Sequence, residues 1–533
     1  MKKTTISRTD SIVVCIWAIV LLGSAFLQPL QAQTPSLKLG LNVYYPGNEA
    51  FVKHLFSSAN NEHYLLLGDI KSGFAPQITP ILAKYDSTWK EVFRQDYVAA
   101  DKNTSLEAFE YVNGKFLYGT MKQDKKTNIV AYYATSIEPN GITHTPQPLI
   151  KVGYDDKNTY KSAWHVSEDT TKLLFALQFY EKSTQKTSFF MAVIDHNAQT
   201  IWSTNTTLPY TEKEMAMIEW GVSNEGKVYL LTQINNNKSA TNYCEVRVYS
   251  AQSDNKDNTY KIAIADKVPI ATRLSLDQHN NFHCLGFYAE QNNGRLKGVF
   301  YTRLDAQTAQ MSPIQQHAFT AANLGNMARE DKKVSKDGTA SIDKDFRYRQ
   351  VRYQPNGSLF VDAEQFFRST FSDPNSKEIT KFVNSHDILT LSIKDDGELE
   401  WLVTIPKKQQ QADPRYLSWA YDPTDVPVFI SHTTMQTDKG DIFCFYNEFN
   451  HNIDLPLNEK VSDRGSIKNL TTAIVHITTD GKATRKAFEE TRQKRLLIIP
   501  QDCHQIDSKR LFVRLKSNTL TDKHYHYGLI TIE

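Results

Sequence analysis

The chain has 533 residues, a mass of 60.9 kDa and nearly balanced charge, with 61 lysines and arginines against 59 aspartates and glutamates. A net charge of +2 without a basic stripe excludes the electrostatic signature of nucleic-acid-binding proteins. An aromatic fraction of 11%, with 26 tyrosines and 27 phenylalanines, suits the half-buried faces of β-sheets.

Residues 1–32 differ in composition from the rest of the chain. Lys3 and Arg8 make a basic start, residues 12–27 form an apolar run, and a short stretch that contains Pro29 ends at the small residue Ala32. This order is typical of a secretory signal peptide, and the run is shorter than the roughly 20 residues that span a bilayer. We expect cleavage at or near Ala32–Gln33, location in the periplasm or at the cell surface, and no transmembrane segment after signal removal.

A turn rich in asparagine, aspartate and glycine precedes an apolar strand eight times, as in Asn113-Gly114 and Asn356-Gly357. Such turns favour hairpins because asparagine and glycine adopt positive φ at little cost. The strands after these turns are predicted to start at Tyr64, Phe116, Leu173, Val228, Phe282, Leu359, Ile442 and Leu511. The first four spacings lie between 52 and 57 residues, which indicates an internal repeat.

A second turn follows many of these strands and joins a third strand to a fourth. Three of these turns are followed closely by a tryptophan, at Trp89, Trp202 and Trp401. A four-stranded unit of this length is typical of a β-propeller blade, so the sequence predicts an all-β propeller of eight blades, with seven as the alternative.

The last unit lacks a fourth strand, and the mature N-terminus supplies an apolar strand that could complete it. We expect residues 37–45 to pair with residues 525–532 and close the ring, which removes an exposed sheet edge. The prediction is therefore one propeller domain over residues 36–533, with insertions at 321–347 and 406–425. The first insertion is densely charged and opens with helix-compatible residues, and both are either solvated surface or functional loops.

Four cysteines remain after cleavage, at Cys244, Cys284, Cys444 and Cys503. At least three of them lie in apolar strand patterns and none forms a C-x-x-C pair. Free, buried cysteines acting as small hydrophobic residues are therefore favoured over disulfides, although an exported protein permits either state.

The order of the motifs resembles an uncharacterised family of exported, β-propeller-like proteins of Bacteroidota. The resemblance depends on the stretch from Ser167 to Tyr210, which ends in Trp202 and the Leu-Pro-Tyr triplet, on VSNEGKVYLLTQI, and on HDILTLSIKDDGELEWLVTIPKKQQ. It implies an envelope location and a propeller-like fold, and it implies no activity and no functional residues.

In a propeller the first strand of each blade lines the central channel. Counting back seven to ten residues from each predicted strand start finds one polar residue per unit: His54, Glu107, His165, Glu219, Arg273, Arg349, His432 and His504. Such a ring could bind a sugar, a peptide or an ion, and Glu107 and Glu219 could serve as acid and base. Alternatively, these residues are the ordinary polar lining of a wet channel.

Two aromatic residues of the second insertion, Trp419 and Tyr421, share one face of residues 416–421 if that stretch is extended. They are candidates for stacking on a ligand at the channel mouth, and packing between two blades is the alternative.

The sequence contains no G-x-S-x-G elbow, no H-E-x-x-H, no EF-hand loop and no glycine-rich phosphate loop, so it predicts no cofactor and no metal site. Two functions stay open. The first is a non-enzymatic binding or scaffold protein of the envelope that recognises a peptide, a glycan or a protein. The second is a hydrolase or lyase that degrades a polymer with carboxylates at the channel.

Overall fold

A computed structural model describes most of the chain. The described residues are 34–43, 49–71, 77–97, 103–153, 160–181, 185–235, 242–251, 258–292, 294–325, 327, 332–354, 356–372, 379–412, 429–463, 467–519 and 524–532.

Strand β1 (Pro35–Val43) belongs to the last sheet, and the strands that follow it form blades in chain order. Blade 1 contains β2 (Glu49–Ser57), β3 (His63–Lys71), β4 (Gln77–Tyr85) and β5 (Glu91–Asp96). Blade 2 contains β6 (Thr104–Val112), β7 (Lys115–Asp124), β8 (Ile129–Ile137) and β9 (Gln147–Gly153). Blade 3 contains β10 (Tyr160–Val166), β11 (Leu173–Glu181), β12 (Lys186–Ile194) and β13 (Thr200–Thr211). Blade 4 contains β14 (Met215–Val222), β15 (Val228–Ile234), β16 (Tyr243–Tyr249) and β17 (Asn258–Ile262).

The second half of the chain repeats this pattern with additions. Blade 5 contains β18 (Val268–Leu276), β19 (Phe282–Ala289), β20 (Gly298–Leu304) and β21 (Gln315–Ala318), and a separate hairpin of β22 (Lys332–Val334) and β23 (Ala340–Ile342) follows it. Blade 6 contains β24 (Phe346–Tyr353), β25 (Leu359–Ser372), β26 (Ile379–Ile393) and β27 (Leu399–Ile405), with β28 (Gln409–Ala412) added beside β26. Blade 7 contains β29 (His432–Gln436), β30 (Ile442–Phe449), β31 (Leu470–Ile477) and β32 (Ala483–Ala487). Blade 8 contains β33 (Leu496–Ile498) and β34 (His504–Gln505) as a divided inner edge, then β35 (Arg510–Ser517), β36 (Tyr525–Ile532) and β1.

Each blade is an antiparallel meander, and the described residues form eight of them. The prediction of an all-β propeller is confirmed with eight blades, and every predicted strand start falls at or within one residue of the start of the second strand of a blade. At the first-to-second strand turn of blade 2, Asn113 and Gly114 have φ of 43° and 87°, as a two-residue hairpin turn requires.

The core is divided into eight apolar clusters, each lying between two neighbouring blades. Between blades 3 and 4, for example, Met191 and Leu208 pack with Trp220 and Leu230. The cluster between blades 8 and 1 contains Phe512 and Trp89. Because one cluster occupies every junction of the ring, burial of apolar surface holds the blades together in sequence order.

The ring closes as predicted, with a shift of two residues in the N-terminal strand. β1 pairs with β36 in antiparallel register from Pro35 opposite Ile532 to Val43 opposite Tyr525. The backbone N–H of Leu37 also donates to the Glu490 carboxylate, so the closing strand is bonded on both sides. Blade 8 is thereby built from both ends of the described chain.

The two faces of the ring differ. We call the side that carries the first-to-second strand turns the turn face, and the opposite side, where the chain passes between blades, the insert face. The first insertion forms turns and the β22–β23 hairpin in place of a helix. Its apolar residues Leu324, Met327 and Ile342 are buried between blades 5 and 6, so this insertion is partly core and not only a solvated face.

Two short helices, α1 (Asn450–Ile453) and α2 (Glu489–Lys494), lie in blade 7 and in its connection to blade 8. Within the described part of the chain, no helix combines the length and the apolar character needed to cross a membrane. The four cysteines are free, and Cys244, Cys284 and Cys444 are buried as expected.

Candidate binding site in the central channel

All eight residues of the predicted ring lie on the innermost strands, one in each blade. His54, Glu107, His165 and Glu219 lie on β2, β6, β10 and β14, and Arg273, Arg349, His432 and His504 lie on β18, β24, β29 and β34. Neighbouring inner strands contact one another around the channel. The placement is therefore as predicted, but the eight side chains have different surroundings.

The two glutamates of the ring connect neighbouring blades. Glu107 accepts a hydrogen bond from Ser162 Oγ of blade 3 at 2.5 Å. Glu219 accepts from the backbone N–H of Leu274 at 2.8 Å and from Arg273 at 3.4 Å, both in blade 5. Burial raises the pKa of Glu219, although these two donors oppose the shift. Both carboxylates thus link adjacent inner strands, which is a structural role.

His54 and His504 meet at the junction of blades 1 and 8, which we call the seam. Their rings stack with centroids 5.1 Å apart. Ser57 Oγ lies 2.8 Å from His54 Nε2 and 2.6 Å from Nδ1 of a third histidine, His63, whose ring stacks 4.1 Å from Trp89. The sequence analysis missed His63, although a histidine opening the apolar run YLLL was a visible signal.

The seam histidines are held in their neutral form. Burial lowers the pKa of His63 to about 4, and burial together with the nearby His504 and His63 rings lowers the pKa of His54 well below its ordinary value. His54 Nδ1 and His63 Nε2 are buried without a hydrogen-bond partner among the described residues. Neutral imidazoles tolerate this arrangement, whereas imidazolium ions would be desolvated and close together.

Arg349 and His432 join a buried charged cluster between blades 6 and 7, which we call the ionic junction. Its centre is Glu364, which is fully buried and lies 2.7 Å from the Lys407 ammonium, itself fully buried. The Arg349 guanidinium donates to the same carboxylate through Nε at 2.8 Å. His432 connects Glu364, 3.3 Å from Nδ1, to Asp362, 3.1 Å from Nε2.

Charge balance sets the protonation of the ionic junction. Burial alone would favour a neutral Glu364, but Lys407, His432 and Arg349 hold its pKa well below the ordinary range. Burial would likewise favour a neutral His432, but Asp362 and Glu364 raise its pKa. The sequence analysis missed Asp362, Glu364 and Lys407, although two carboxylates within the apolar strand LFVDAEQFF were a signal.

A chamber of about 360 Å³ opens on the channel wall between blades 4, 5 and 6. Three of its lining residues are arginines, Arg273, Arg349 and Arg352, and Tyr348 and Glu219 line it as well. We call this space the arginine chamber. The chamber brings together three residues of the predicted polar ring, Glu219, Arg273 and Arg349. His165 lies apart on blade 3, where burial lowers its pKa.

A larger cavity of about 730 Å³ opens at the turn face, lined by turns of blades 3, 5, 6, 7 and 8. Gln354 and Gln436 line this turn-face cavity and are only 4% and 7% exposed. Gln354 Nε2 and Oε1, Gln436 Nε2 and the Tyr353 hydroxyl have no hydrogen-bond partner in the described part of the chain. Buried polar atoms are normally satisfied, so these atoms would gain a partner if the cavity wall adjusted around a ligand or a water molecule.

Two carboxylates at the turn-face cavity have pKa values that are shifted in opposite directions. Partial desolvation and the nearby Asp277 and Asp169 raise the pKa of Glu168. Burial would favour a protonated Asp277, but hydrogen bonds from His283 and Asn281 lower its pKa to about 2. Asp277 also accepts from the backbone N–H groups of His279 and Asn281, so its acceptor positions are occupied.

Trp419 and Tyr421 lie outside the described residues, as does the segment 413–428 to which they belong. The preceding residues of the second insertion are described, and Lys407 and Gln409 from this stretch are buried within the ionic junction. Across the described ranges, no group of three or more histidine, cysteine, aspartate or glutamate side chains could hold a metal ion.

No family model matches the sequence, and no curated protein matches it. Among solved structures, the chain is similar to the β-propeller domain of the Trilobed protease from Pyrococcus furiosus, with 9% identity, a TM-score of 0.33 and coverage of 69% of this chain and 96% of that one. It is also similar to sucrose-6-phosphate hydrolase from Lactobacillus gasseri, with 10% identity, a TM-score of 0.28 and coverage of 97% and 96%. At these values the likeness carries no information about activity, and the fold is assigned from the strand pairing itself.

Proposed function

We propose that this protein is a non-enzymatic binding protein of the cell envelope, and that its turn-face cavity holds a hydroxyl-rich ligand such as the end of a glycan chain. The observation that carries the proposal is a cavity of about 730 Å³ lined by Gln354, whose buried amide has no partner among the described residues, and by Gln436, whose Nε2 has none there. Convergent polar groups in a concave site are what orient a small ligand. The envelope location is supported by the signal-like composition of residues 1–32.

The chemistry of the lining favours a glycan over an apolar ligand. Amide side chains donate and accept hydrogen bonds, and Tyr353 adds an aromatic ring at the same cavity. The carboxylates of Glu168 and Asp438 add acceptors for hydroxyl groups. By contrast, three carboxylates on inner strands, Glu107, Glu110 and Glu219, bond to neighbouring blades and are not free for acid or base catalysis.

The test uses a chain without the expected signal peptide, residues 33–533, on a glycan array and on a peptide library, with the double variant Gln354→Leu, Gln436→Leu. We expect glycan binding by the wild type and its loss in the variant, with a melting temperature that is unchanged or higher, because removing unsatisfied buried polar groups does not destabilise the fold. Gln199→Leu, in an exposed turn of blade 3, is the matched control and should bind normally. Selective peptide binding without glycan binding would contradict the glycan proposal.

A second candidate function, polymer hydrolysis, is favoured by one observation: Glu168 has a raised pKa beside a strongly ionised Asp277. Opposed pKa shifts in two neighbouring carboxylates are the pattern of an acid and base pair. The occupied acceptor positions of Asp277 weigh against it. If the protein releases reducing ends from a polysaccharide and Glu168→Gln abolishes that release while preserving the fold, hydrolysis replaces simple binding.

A further inference from the structure

We propose that the arginine chamber is an oxyanion site that takes the carboxylate or phosphate group of a small ligand, with Arg273 and Arg352 as its principal donors. The site is distinct from the turn-face cavity, because the residues that line the two spaces differ. Anion binding there does not depend on glycan binding at the turn face.

The first support is an excess of positive over negative charge on the chamber wall. Three arginines face one glutamate there, Glu219, which is already bonded to the Leu274 N–H. Arg273 makes a single hydrogen bond among the described residues, to Glu219 at the long distance of 3.4 Å, and its side chain is 41% exposed. Most of its guanidinium donors thus remain available, and a guanidinium fork matches the geometry of carboxylate and phosphate oxygens.

The second support is the environment of Arg352. Its guanidinium donates to Gln505 Oε1, a neutral amide oxygen. Burial lowers the pKa of Arg352 to about 10, and the Asp362 charge offsets this only in part. A desolvated cation is normally paired with an anion, so a bound oxyanion would supply the missing countercharge.

The third support is the Tyr348 hydroxyl. Tyr348 lines the chamber, is only 4% exposed, and its hydroxyl has no hydrogen-bond partner in the described ranges. The ring is fixed by stacking on Phe287 at 4.6 Å. An anion bound at the nearby Arg273 would give this buried hydroxyl the partner it lacks, once the chamber wall adjusts to expose it.

The ionic junction positions the third arginine. Arg349 is bonded to Glu364, and Lys407 is bonded to the same carboxylate. Because one carboxylate is shared by two cations, the positive charge of Arg349 is only partly balanced on the side that lines the chamber. Around this wall the described cations outnumber the carboxylates. The chamber therefore attracts anions even with one of its arginines paired.

The experiment measures binding of three probes by calorimetry: inorganic phosphate, sodium glucuronate and neutral glucose. We expect saturable binding of at least one anion that weakens as the salt concentration rises, and no binding of glucose in the chamber. Arg273→Gln should weaken anion binding by about tenfold or more, consistent with loss of a charge-assisted hydrogen bond. Arg347→Gln, which changes an exposed arginine of β24 that does not line the chamber, should leave the affinity unchanged.

Arg273→Lys keeps the charge beside Glu219 but loses the planar guanidinium. It replaces Arg273→Gln as the test variant if Arg273→Gln fails to fold. It should retain salt dependence with reduced affinity. Binding of glucuronate alone identifies a carboxylate ligand, and binding of phosphate alone identifies a phosphate ligand. Absence of binding by both anions, or equal anion binding by the wild type and both Arg273 variants, overturns the proposal. Glucose binding that is lost in the Gln354 and Gln436 variant belongs to the turn-face site.

Discussion

The seam between blades 8 and 1 and the ionic junction between blades 6 and 7 both bury polar side chains beside the channel, but they stabilise them in different ways. At the seam the polar groups are neutral imidazoles, stacked on aromatic rings, and two of their nitrogen atoms lack a partner in the part of the chain that the structure describes. At the junction the groups are ionised and Glu364 is contacted by Lys407, Arg349 and His432.

The difference follows from what each region joins. The seam unites the two ends of the described chain, and its stability comes from backbone pairing of β1 with β36 and from aromatic packing around Phe512. The junction joins consecutive blades where the channel wall carries charge, so every charge there needs a countercharge. Loss of one partner should therefore be tolerated better at the seam than at the junction.

The largest expected effect is at the closing strand. Deleting residues 34–43 removes β1, exposes the edge of β36 and uncovers the apolar cluster that contains Leu37. We expect aggregation, or a melting transition far below that of the chain that begins at residue 34. A synthetic peptide of residues 34–43 added in trans should restore part of the stability by pairing with β36. Unchanged melting after the deletion would show that closure contributes little.

The next effect concerns the ionic junction. Lys407→Met leaves the buried Glu364 with less countercharge, and breaking a buried ion pair in this way costs about 3–5 kcal/mol. Lys408→Met is the matched control, because Lys408 pairs with Asp463 at the surface, where such pairs contribute about 0–1 kcal/mol. Chemical denaturation of both variants measures the difference, and equal free energies of unfolding would contradict a structural role for the buried pair.

The two regions should also respond to pH with opposite signs. The folded-state pKa of His63, about 4, lies below its ordinary value, so its contribution to stability is complete above pH 6.5 and is lost as the pH falls toward 4. His54 and His504 are shifted in the same direction. The pKa of His432 is raised, so its contribution is complete below pH 6.5 and fades as the pH rises through the folded-state value.

Because the seam histidines are neutral in the folded protein and the contribution of His432 does not change below pH 6.5, we expect the free energy of unfolding to fall between pH 6.5 and 4. The slope should approach about 1.4 kcal/mol per pH unit for each proton taken up on unfolding. His63→Phe keeps a ring on Trp89 and removes one titrating group, so its slope in this interval should be shallower than that of the wild type. A wild-type stability that stays flat across the interval would argue against neutral histidines at the seam.

The smallest effect is at a single hydroxyl of the seam. Ser57→Ala leaves His54 Nε2 and His63 Nδ1 without their shared partner, which should cost about 1–3 kcal/mol. Ser36→Ala is the control, because within the described ranges the Ser36 hydroxyl makes one long hydrogen bond, at 3.4 Å, to the backbone oxygen of Thr531. Thermal melting at pH 7.5 separates the two, and a change at Ser57 no larger than that at Ser36 would show that the bridge is dispensable.

The sequence alone determined the local units of this protein. Turns such as Asn113-Gly114 are specified by the few residues that accept positive φ, and alternating apolar strands follow them at regular intervals, so the blades, their second strands and the closing pair could be predicted. The same regularity predicted one polar residue on each inner strand, because the number of residues between a side chain and a turn can be read from the sequence.

Only the tertiary structure decided what those polar residues do. Glu364 meets Lys407 across 43 positions of sequence, and Glu107 meets Ser162 across 55, so no local pattern could assign these partners. Nor could it show that the Gln354 amide and Gln436 Nε2 lack partners among the described residues while the Gln505 amide is bonded. Whether a buried amide finds a partner depends on which neighbouring blade supplies a donor or acceptor. Hydrogen bonds and ion pairs act over a few ångströms, and in a ring of blades those distances are set by packing between units that are remote in the chain.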